Sequence, residues 1–368
     1  MLDLLNKIKI SEEALMKAEE RLIAVWNYEE PDSLPIIIDV PIPKDWPIFS
    51  YEEEFYDVRK MLINQLAQVY VHSKIKDDAM LTIRPNYGVG IIPSAFGCKV
   101  IVKGDNMPWT MPIIKEIEEV YEIELPDMRT SGLCGKVLEA IEFYKNILKD
   151  AGLSRYIHIY LADTQGPLDI AFILRGVRFY KDVFVHKREV RRLLKIATDA
   201  YIEFSKIMKD EIGEPYDEGY HMMIKMCKGG VRICEDVAVN LSPQAYLEFS
   251  KKYNEVAFKP FNGGYIHFCG KGHHILEYVV KTKGIRGLNL GNPEYYKLEE
   301  LMNLLSKNKV CLIGWPIVWR SETGFVDTIK SLLRRLNIRT GIIFRVSAPD
   351  IGSARKILRK WREISKII

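Results

Sequence analysis

The sequence predicts an α/β fold, specifically a (β/α)₈ TIM barrel with a helical extension over residues 1–34 and long loops at the barrel mouth. Eight short runs of apolar and β-branched residues alternate with helical patterns, which indicates a parallel sheet. The length of 368 residues suits one barrel domain over residues 1–368. No glycine-rich dinucleotide motif follows any of these runs. An open, doubly wound sheet remains the alternative fold.

The predicted elements follow one another as strand and helix along most of the chain. The strands are expected over residues 35–40, 80–85, 156–162, 231–235, 264–269, 285–290, 309–314 and 341–346. Helical periodicity is clearest over residues 187–208, 243–258, 298–307, 324–336 and 353–368. Segments 41–56 and 88–109 are rich in Pro, Gly or aromatic residues and show little periodicity. We expect both to form long loops at the mouth, where binding sites are common.

Composition places the chain among ordinary globular proteins. It is 48% hydrophobic and 28% charged, and its net charge of +4 gives no reason to expect nucleic-acid binding. No apolar run has the length of a membrane span, and the N-terminal residues lack a signal-peptide pattern. The six cysteines are scattered without paired spacing, which favours reduced thiols. We therefore expect a cytoplasmic protein that acts on a small molecule and binds neither nucleic acid nor membrane.

Polar residues stand at the ends of most predicted strands. In a TIM barrel these ends share one mouth, where the active site is built. This pattern favours an enzyme or a ligand-binding barrel, although Asp163 could equally form a turn and Asp236 could cap the next helix. The residues at these positions are Asp39, Asn86, Asp163, Thr164, Gln165, Glu235, Asp236, His267, Cys269, Asn289, Trp315 and Arg345.

His267 and Cys269 form the most informative pair. Residues two apart on a strand point to the same face, so both side chains project together from a strand that stops at Gly270. Imidazole and thiolate are ligands that zinc prefers, which makes the pair half of a candidate metal site. A hydrogen-bonded histidine within the core is the alternative interpretation.

Several blocks, in order along most of the chain, resemble the uroporphyrinogen decarboxylase superfamily, and most closely its cobalamin (corrinoid)-dependent methyltransferase-like branch. The His-x-Cys-Gly sequence that begins at His267 is similar to the motif that supplies two zinc ligands in that branch. The resembling blocks are residues 86–90 with 94–97, 165–167, 174–176 and 180–182, 235–236 with 241–249, 267–270, 287–291 and 311–314.

The resemblance implies a (β/α)₈ barrel that binds zinc through His267 and Cys269. It also implies a corrinoid, and because the chain has no Asp-x-His-x-x-Gly pattern the corrinoid would be carried by a separate partner protein. We expect catalytic roles for Asp236, Glu235 and Asp163. Substrate-binding roles are expected for Asn86, Gln165, Asn289, Trp315 and Arg345.

The chain departs from the family pattern in two places. Zinc-bearing relatives have a further Cys after the eighth strand, whereas residues 344–350 here read FRVSAPD and no Cys follows Cys311. The candidates for a third ligand are, in order, Glu235, Asp236, Cys234 and Asp350. The Arg-rich segment and the Gly-Ala-Pro signature of the porphyrin decarboxylases are also missing, which makes that activity the weaker expectation.

Three functions follow from these observations. The leading one is a zinc-dependent methyltransferase that moves a methyl group between a corrinoid protein and a small thiol or other heteroatom substrate. The alternative is a metal-free decarboxylase or lyase acting on a carboxylate-rich substrate, with Asp236 or Asp163 acting on the intermediate. The second alternative is a non-catalytic ligand-binding barrel. In the lyase, the carboxylate partners would be Arg84, Arg175, Arg178 and Arg345.

Overall fold

The structure is a computed structural model that describes residues 1–318 and 322–365. Its strands within these residues are β1 (Ile36–Asp39), β2 (Thr82–Ile83), β3 (Val100–Lys103), β4 (Asn106–Thr110), β5 (His158–Ile159), β6 (Gly219–His221), β7 (Ile224–Met226), β8 (Val231–Cys234), β9 (Gly264–Phe268), β10 (Ile285–Leu290), β11 (Cys311–Ile317) and β12 (Ile342–Ser347).

Helices separate most of these strands. They are α1 (Leu2–Leu5), α2 (Glu12–Trp26), α3 (Tyr51–Tyr56), α4 (Val58–Ile75), α5 (Ile91–Ala95), α6 (Leu133–Asp150), α7 (Pro167–Arg175), α8 (Phe179–Val185), α9 (Lys187–Ile212), α10 (Pro243–Tyr246), α11 (Lys252–Phe258), α12 (His273–Val279), α13 (Leu298–Asn308), α14 (Glu322–Leu336) and α15 (Ile351–Ser365). A π-helical turn, Leu247–Lys251, joins α10 to α11, and 3₁₀ turns cover Ile117–Tyr121, Gly176–Arg178, Asp236–Asn240, Lys259–Phe261 and Pro293–Tyr295.

The described strands form a central parallel sheet and three two-stranded sheets. The central sheet has six strands in the order β1-β12-β11-β10-β9-β8, and β2 pairs with β5 in a separate parallel ladder. The remaining pairs, β3–β4 and β6–β7, are antiparallel. The parallel strands coincide in position with the eight predicted strands, so the α/β class is confirmed. Closure of the two parallel sheets into one barrel stays a prediction.

Two buried aspartates, Asp77 and Asp78, connect β1 to the segment that leads to β2. The amide of Ile36 donates to Asp78 Oδ2 at 2.8 Å, and the amide of Ile38 donates to Asp77 Oδ2 at 2.6 Å. Both carboxylates are buried. They thus satisfy edge amides of β1 that would otherwise be buried without partners.

Asp78 also forms ion pairs with two guanidinium groups that lie between β1 and the segment leading to β2. Arg21 Nη1 lies 3.0 Å and Arg362 Nη2 lies 2.6 Å from Asp78 Oδ1. Arg21 comes from α2 and Arg362 from α15, so helices from the two ends of the described chain meet at this carboxylate. Its side chain is fully buried. The charge is acceptable there because it has charged partners as well as the Ile36 amide.

Several predicted boundaries are wrong. β2 and β5 have two residues each, whereas longer strands were expected over 80–85 and 156–162. β11 continues to Ile317, past the predicted end at residue 314, because a bulge at Gly314 re-pairs the strand with β12. Trp315 therefore lies within a strand instead of following one.

The predicted loops at 88–109 and 41–56 contain structure. α5 and the β3–β4 hairpin lie in or reach into the first, and α3 overlaps the end of the second. The strands of the β3–β4 hairpin are too short to give a clear alternation of apolar and polar residues. The sequence pattern therefore did not reveal the hairpin. The predicted C-terminal helix is present as α15, although residues 366–368 of that prediction lie outside the described residues. Two helices, α1 and α2, occupy the predicted N-terminal extension, and the single-domain assignment stays a prediction.

Within residues 1–318 and 322–365, no helix combines the length and the apolar character needed to cross a membrane.

Replacement of Asp78 by Asn should lower the free energy of unfolding by about 3–5 kcal/mol, because Arg362 would lose its buried carboxylate and Arg21 one of its two. The matched control is Asp32→Asn, which removes an Arg21 partner whose side chain is 60% exposed and should cost about 1 kcal/mol or less. Urea unfolding of both variants measures the difference. Equal losses would contradict the structural role assigned to Asp78.

Candidate functional site

Four potential metal ligands gather where β8 and β9 end. Parallel pairing sets Cys234 beside His267, and the 3₁₀ turn that follows β8 begins with Asp236. The ligand atoms of Cys234, Asp236 and His267 all lie within 4.8 Å of one another. Cys269, one residue beyond the end of β9, places its Sγ 3.6 Å from His267 Nε2. The predicted projection of His267 and Cys269 to one side is therefore confirmed.

Asp236 connects the two strand ends. Its Oδ1 accepts a hydrogen bond from the amide of Cys269 at 2.6 Å and lies 3.9 Å from His267 Nε2. Gly291 makes room for the thiol, because a Cβ at that position would lie 2.4 Å from Cys269 Sγ. The position of Cys269 is thus fixed by a backbone hydrogen bond on one side and by a residue without a side chain on the other.

Asn289 determines which nitrogen of His267 is available. The side-chain amide of Asn289 donates to the carbonyl of Ile313 at 2.8 Å, so its oxygen points the other way. That oxygen lies 2.6 Å from His267 Nδ1 and, having no proton of its own, accepts a hydrogen bond from the Nδ1–H group. His267 therefore carries its proton on Nδ1 and presents the lone pair of Nε2 to Asp236 and Cys269. Histidine ligands of metals are oriented by the same type of contact.

Two of the donors lie around His267 Nε2 at spacings close to those of zinc ligands. Ligand atoms bound at roughly 2.0–2.3 Å in a tetrahedron lie roughly 3.3–3.8 Å apart, and Cys269 Sγ and Asp236 Oδ1 lie 3.6 and 3.9 Å from His267 Nε2. Burial and the charge of Arg232 lower the pKa of His267, which keeps its imidazole neutral. Burial and Asp236 raise the pKa of Cys269 to about 11, and burial raises that of Cys234 well above its usual value. Only a bound cation would make these thiols ionise at neutral pH.

A buried carboxylate that the sequence did not point to holds the turn after β8. Asp169, on α7, accepts hydrogen bonds from the amides of Asp236 at 2.9 Å and Val237 at 3.1 Å. Burial and the neighbouring charge of Asp236 raise the pKa of Asp169 well above its usual value. Because these contacts span 67 and 68 residues of sequence, no local pattern could have revealed them.

Glu235 faces the helices instead of the cluster. Its carboxylate accepts hydrogen bonds from Tyr246 OH at 3.0 Å, Ser250 Oγ at 2.5 Å and Asn254 Nδ2 at 2.6 Å. The side chain is fully buried, and burial raises its pKa to about 7. The alternation of side chains beyond β8 places Cys234 and Asp236 on one side and Glu235 on the other. Glu235 is therefore not brought to the donor cluster, and its predicted catalytic role gains no support from this geometry.

Asp163 lies in a second polar group, between two guanidiniums. Its Oδ1 is 3.1 Å from Arg232 Nη1, and its Oδ2 is 3.5 Å from Arg84 Nη1. Burial opposes ionisation, but the two positive charges outweigh it and hold the pKa of Asp163 well below its usual range. Gln165, whose φ of 60° is left-handed, donates to the same carboxylate through its amide and its side chain. Asp163 is thus an ionised partner of the arginines.

The other predicted substrate-binding residues have protein partners. Asn86 donates to Glu54 Oε1 at 2.7 Å, and Arg345 pairs with both oxygens of Asp39 at 2.5 and 2.8 Å. Trp315 is partly buried against the core. Asp350, the last candidate for a third metal ligand, accepts from Ser353 at the start of α15.

A cavity of about 630 Å³ in the described residues lies elsewhere. Its lining includes His158 at the start of β5 and Lys225 in the hairpin that precedes β8, so it lies at the opposite end of the strands from the donor cluster. No residue of the donor cluster lines it.

Arg232 is the residue of the second polar group that sequence reasoning missed. It lies within a strand that was correctly predicted, and an arginine is rarely buried unless it has a charged or polar partner. That signal was present in the sequence.

Comparisons with known proteins identify the fold. A solved structure described as a methyltransferase from Methanosarcina mazei matches with a TM-score of 0.67 and 20% sequence identity, covering 94% of this chain and 98% of that one. No protein-family model and no curated protein matches the chain. At this identity, the likeness establishes a shared fold.

Replacement of Glu235 by Gln should change how stability depends on pH. The pKa of Glu235 is raised on folding, so its contribution to stability is complete below about pH 4.5 and is lost as pH rises through about 7. The neutral amide of Gln does not titrate, so the variant avoids the cost of burying an ionised Glu235 at alkaline pH. At about 1.4 kcal/mol per pKa unit, this cost is up to about 3 kcal/mol of the free energy of unfolding. Thermal unfolding from mildly acidic to alkaline pH measures it. Parallel pH profiles for the parent and the variant would contradict this assignment.

Proposed function

We propose that the protein is a zinc-dependent methyltransferase that moves a methyl group between a corrinoid protein and a small thiol or other heteroatom substrate. The observation that carries the proposal is the gathering of Cys234, Asp236, His267 and Cys269 at adjacent strand ends. The methyltransferase that shares the fold supports it, as does the resemblance to the uroporphyrinogen decarboxylase superfamily. We also propose that the two parallel sheets close into the barrel of that superfamily.

In this proposal His267, Cys269 and Cys234 hold the metal. Cys234 takes the place of the cysteine that relatives carry after the eighth strand, because it is buried and adjacent to His267. Asp236 acts by holding the Cys269 backbone, since its Oδ1 already accepts that amide and its side chain is 45% exposed. Three protein ligands leave a fourth position open for the substrate.

The residues around the metal prepare the site for an anionic nucleophile. A bound zinc ion would supply the charge that lowers the pKa of a substrate thiol or similar group. Asn289 keeps His267 Nε2 free of its proton, and Asp169 keeps the Asp236 turn in place. The exposed side of Cys269 leaves the cluster open to an incoming donor. Segments 41–56 and 88–109 are proposed to receive the corrinoid-bearing partner.

A metal-free lyase remains the second candidate, and the buried Arg84–Asp163–Arg232 group favours it because such a group could bind a substrate carboxylate. Metal dependence separates the two. Turnover that survives complete chelation would support the lyase. Ligand binding with no turnover in methyl-transfer or decarboxylation assays would support the non-catalytic barrel.

Protein purified without a metal-affinity tag should contain about one zinc per chain, and Cys269→Ser or Cys234→Ser should remove most of it because each deletes a thiolate ligand. Elemental analysis measures the content. Cys311→Ser is the matched control, because Cys311 is buried at the first residue of β11, far from the carboxyl end of that strand. This variant should keep its zinc content unchanged. Asp236→Asn should also keep its zinc.

Methyl transfer from a methylated corrinoid to a thiol should be abolished in Cys269→Ser and in Cys234→Ser. Added corrinoid should not restore the activity of either variant. Folding is checked by circular dichroism. Full turnover by a correctly folded Cys269→Ser protein would contradict the proposed function. Loss of zinc in Asp236→Asn but not in Cys234→Ser would instead exchange the roles of these two residues.

Replacement of Asn289 by Leu should weaken zinc binding by roughly 10- to 100-fold, because His267 would lose the acceptor that fixes its tautomer and orientation. Competition with a fluorescent chelator measures the affinity. Asn308→Leu, which removes an equivalent side-chain hydrogen bond on α13, serves as the control. An unchanged affinity in Asn289→Leu would show that this contact does not orient a metal ligand.

A further inference from the structure

The chain contains buried arginines whose charge is fully matched. Arg21 pairs with Asp32 and with Asp78 through three nitrogens. Arg175 pairs with Asp182 at 2.6 Å and also donates to two backbone carbonyls. These arginines have structural roles, and each has at least one carboxylate to itself.

Arg84 and Arg232 differ, because they share one carboxylate. Arg232 Nη1 lies 3.1 Å from Asp163, and Arg84 Nη1 lies 3.5 Å from it. The Nε of Arg232 is buried without a hydrogen-bond partner in the described residues. Arg84 otherwise reaches Asn86 Oδ1 at 3.4 Å, a long contact. The group therefore carries one excess positive charge and guanidinium donors that are not used.

The neighbouring carboxylates do not remove this excess. Glu54 is separated from Arg84 by Asn86, which donates to it at 2.7 Å, and burial raises the pKa of Glu54. Asp236 is engaged by the Cys269 amide and is 45% exposed. A buried charge without a partner is unfavourable, so this arrangement is expected when the missing anion is a ligand.

The arginines lie directly below the donor cluster. Arg232 precedes Cys234 by two residues on β8, so both point to the same face, about 7 Å apart at roughly 3.3 Å per residue. Its register partner is Tyr265, two residues before His267. Arg84 reaches the same group from the end of β2, with its guanidinium over the ring of Tyr160. The side chains of Arg84 and Arg232 keep 17% and 12% of their surface exposed.

We propose that Arg84 and Arg232 form a subsite that binds one carboxylate group of a small ligand. Guanidinium groups recognise carboxylates through paired hydrogen bonds, and a single negative charge neutralises the excess. That this ligand is the substrate rests on the proposed function. The binding of the anion does not, because the subsite contains no metal ligand.

Acetate is the probe, and the protein is first stripped of metal so that binding at the donor cluster cannot contribute. Saturable binding is measured by line broadening of ¹³C-labelled acetate and by thermal unfolding against chloride at the same ionic strength. We expect acetate to bind and stabilise the parent. Arg232→Met and Arg84→Met should each weaken binding about ten-fold or more, since each removes charge-assisted hydrogen bonds. Arg191→Met is the control, because Arg191 pairs with Glu248 at an exposed site and should leave acetate binding unchanged.

Asp163→Asn keeps the proposal testable if the arginine variants do not fold. It increases the excess charge and should tighten acetate binding. Absence of saturable binding to the parent, equal binding in Arg232→Met and Arg191→Met, or weaker binding in Asp163→Asn would each overturn the proposal. Because the acetate experiment uses metal-free protein, its failure would leave the zinc-dependent function standing. Conversely, a protein that binds acetate but no zinc would keep the subsite and lose the methyltransferase.

Discussion

The parallel pairing of β8 with β9 is the constraint on which the site depends. The register sets Cys234 against His267 and, two residues earlier, Arg232 against Tyr265. A shift of one residue would turn these side chains toward the helices and bring Glu235 to the cluster. Two layers result, with metal-binding donors at the strand ends and positively charged groups beneath them. The proposed chemistry therefore depends on the backbone hydrogen bonds that set the register of β8 against β9.

The surrounding structure supports this pair through long-range contacts. Asn289 on β10 orients His267, and its own orientation comes from the Ile313 carbonyl beside the bulge in β11. Asp169 on α7 holds the turn that presents Asp236. Each of these polar side chains uses more than one hydrogen-bonding atom, so its rotamer is determined by the fold and not by solvent. A site built in this way is arranged before any ligand arrives.

Hydrophobic patterning was sufficient to predict where the parallel strands lie, because buried strands need apolar residues regardless of their neighbours. The His267–Cys269 pair was also predictable, since residues two apart on a strand share a face. Patterning did not separate Glu235 from Asp236, because the strand ends at Cys234, before both of them, and the direction of each side chain depends on the following turn. Asp169 and the sharing of Asp163 by two arginines were beyond prediction. Those contacts join residues 67 or more positions apart in the chain.

The proposed metal centre is tested most directly by X-ray absorption spectroscopy at the zinc edge on protein purified without an affinity tag. The expected result is a four-coordinate site with two sulfur neighbours at about 2.3 Å and one imidazole nitrogen at about 2.0–2.1 Å. The remaining position should be filled by a light atom from solvent, and a thiol substrate should convert it to a third sulfur. A coordination shell of oxygen and nitrogen alone would contradict the assignment of Cys234 and Cys269 as ligands.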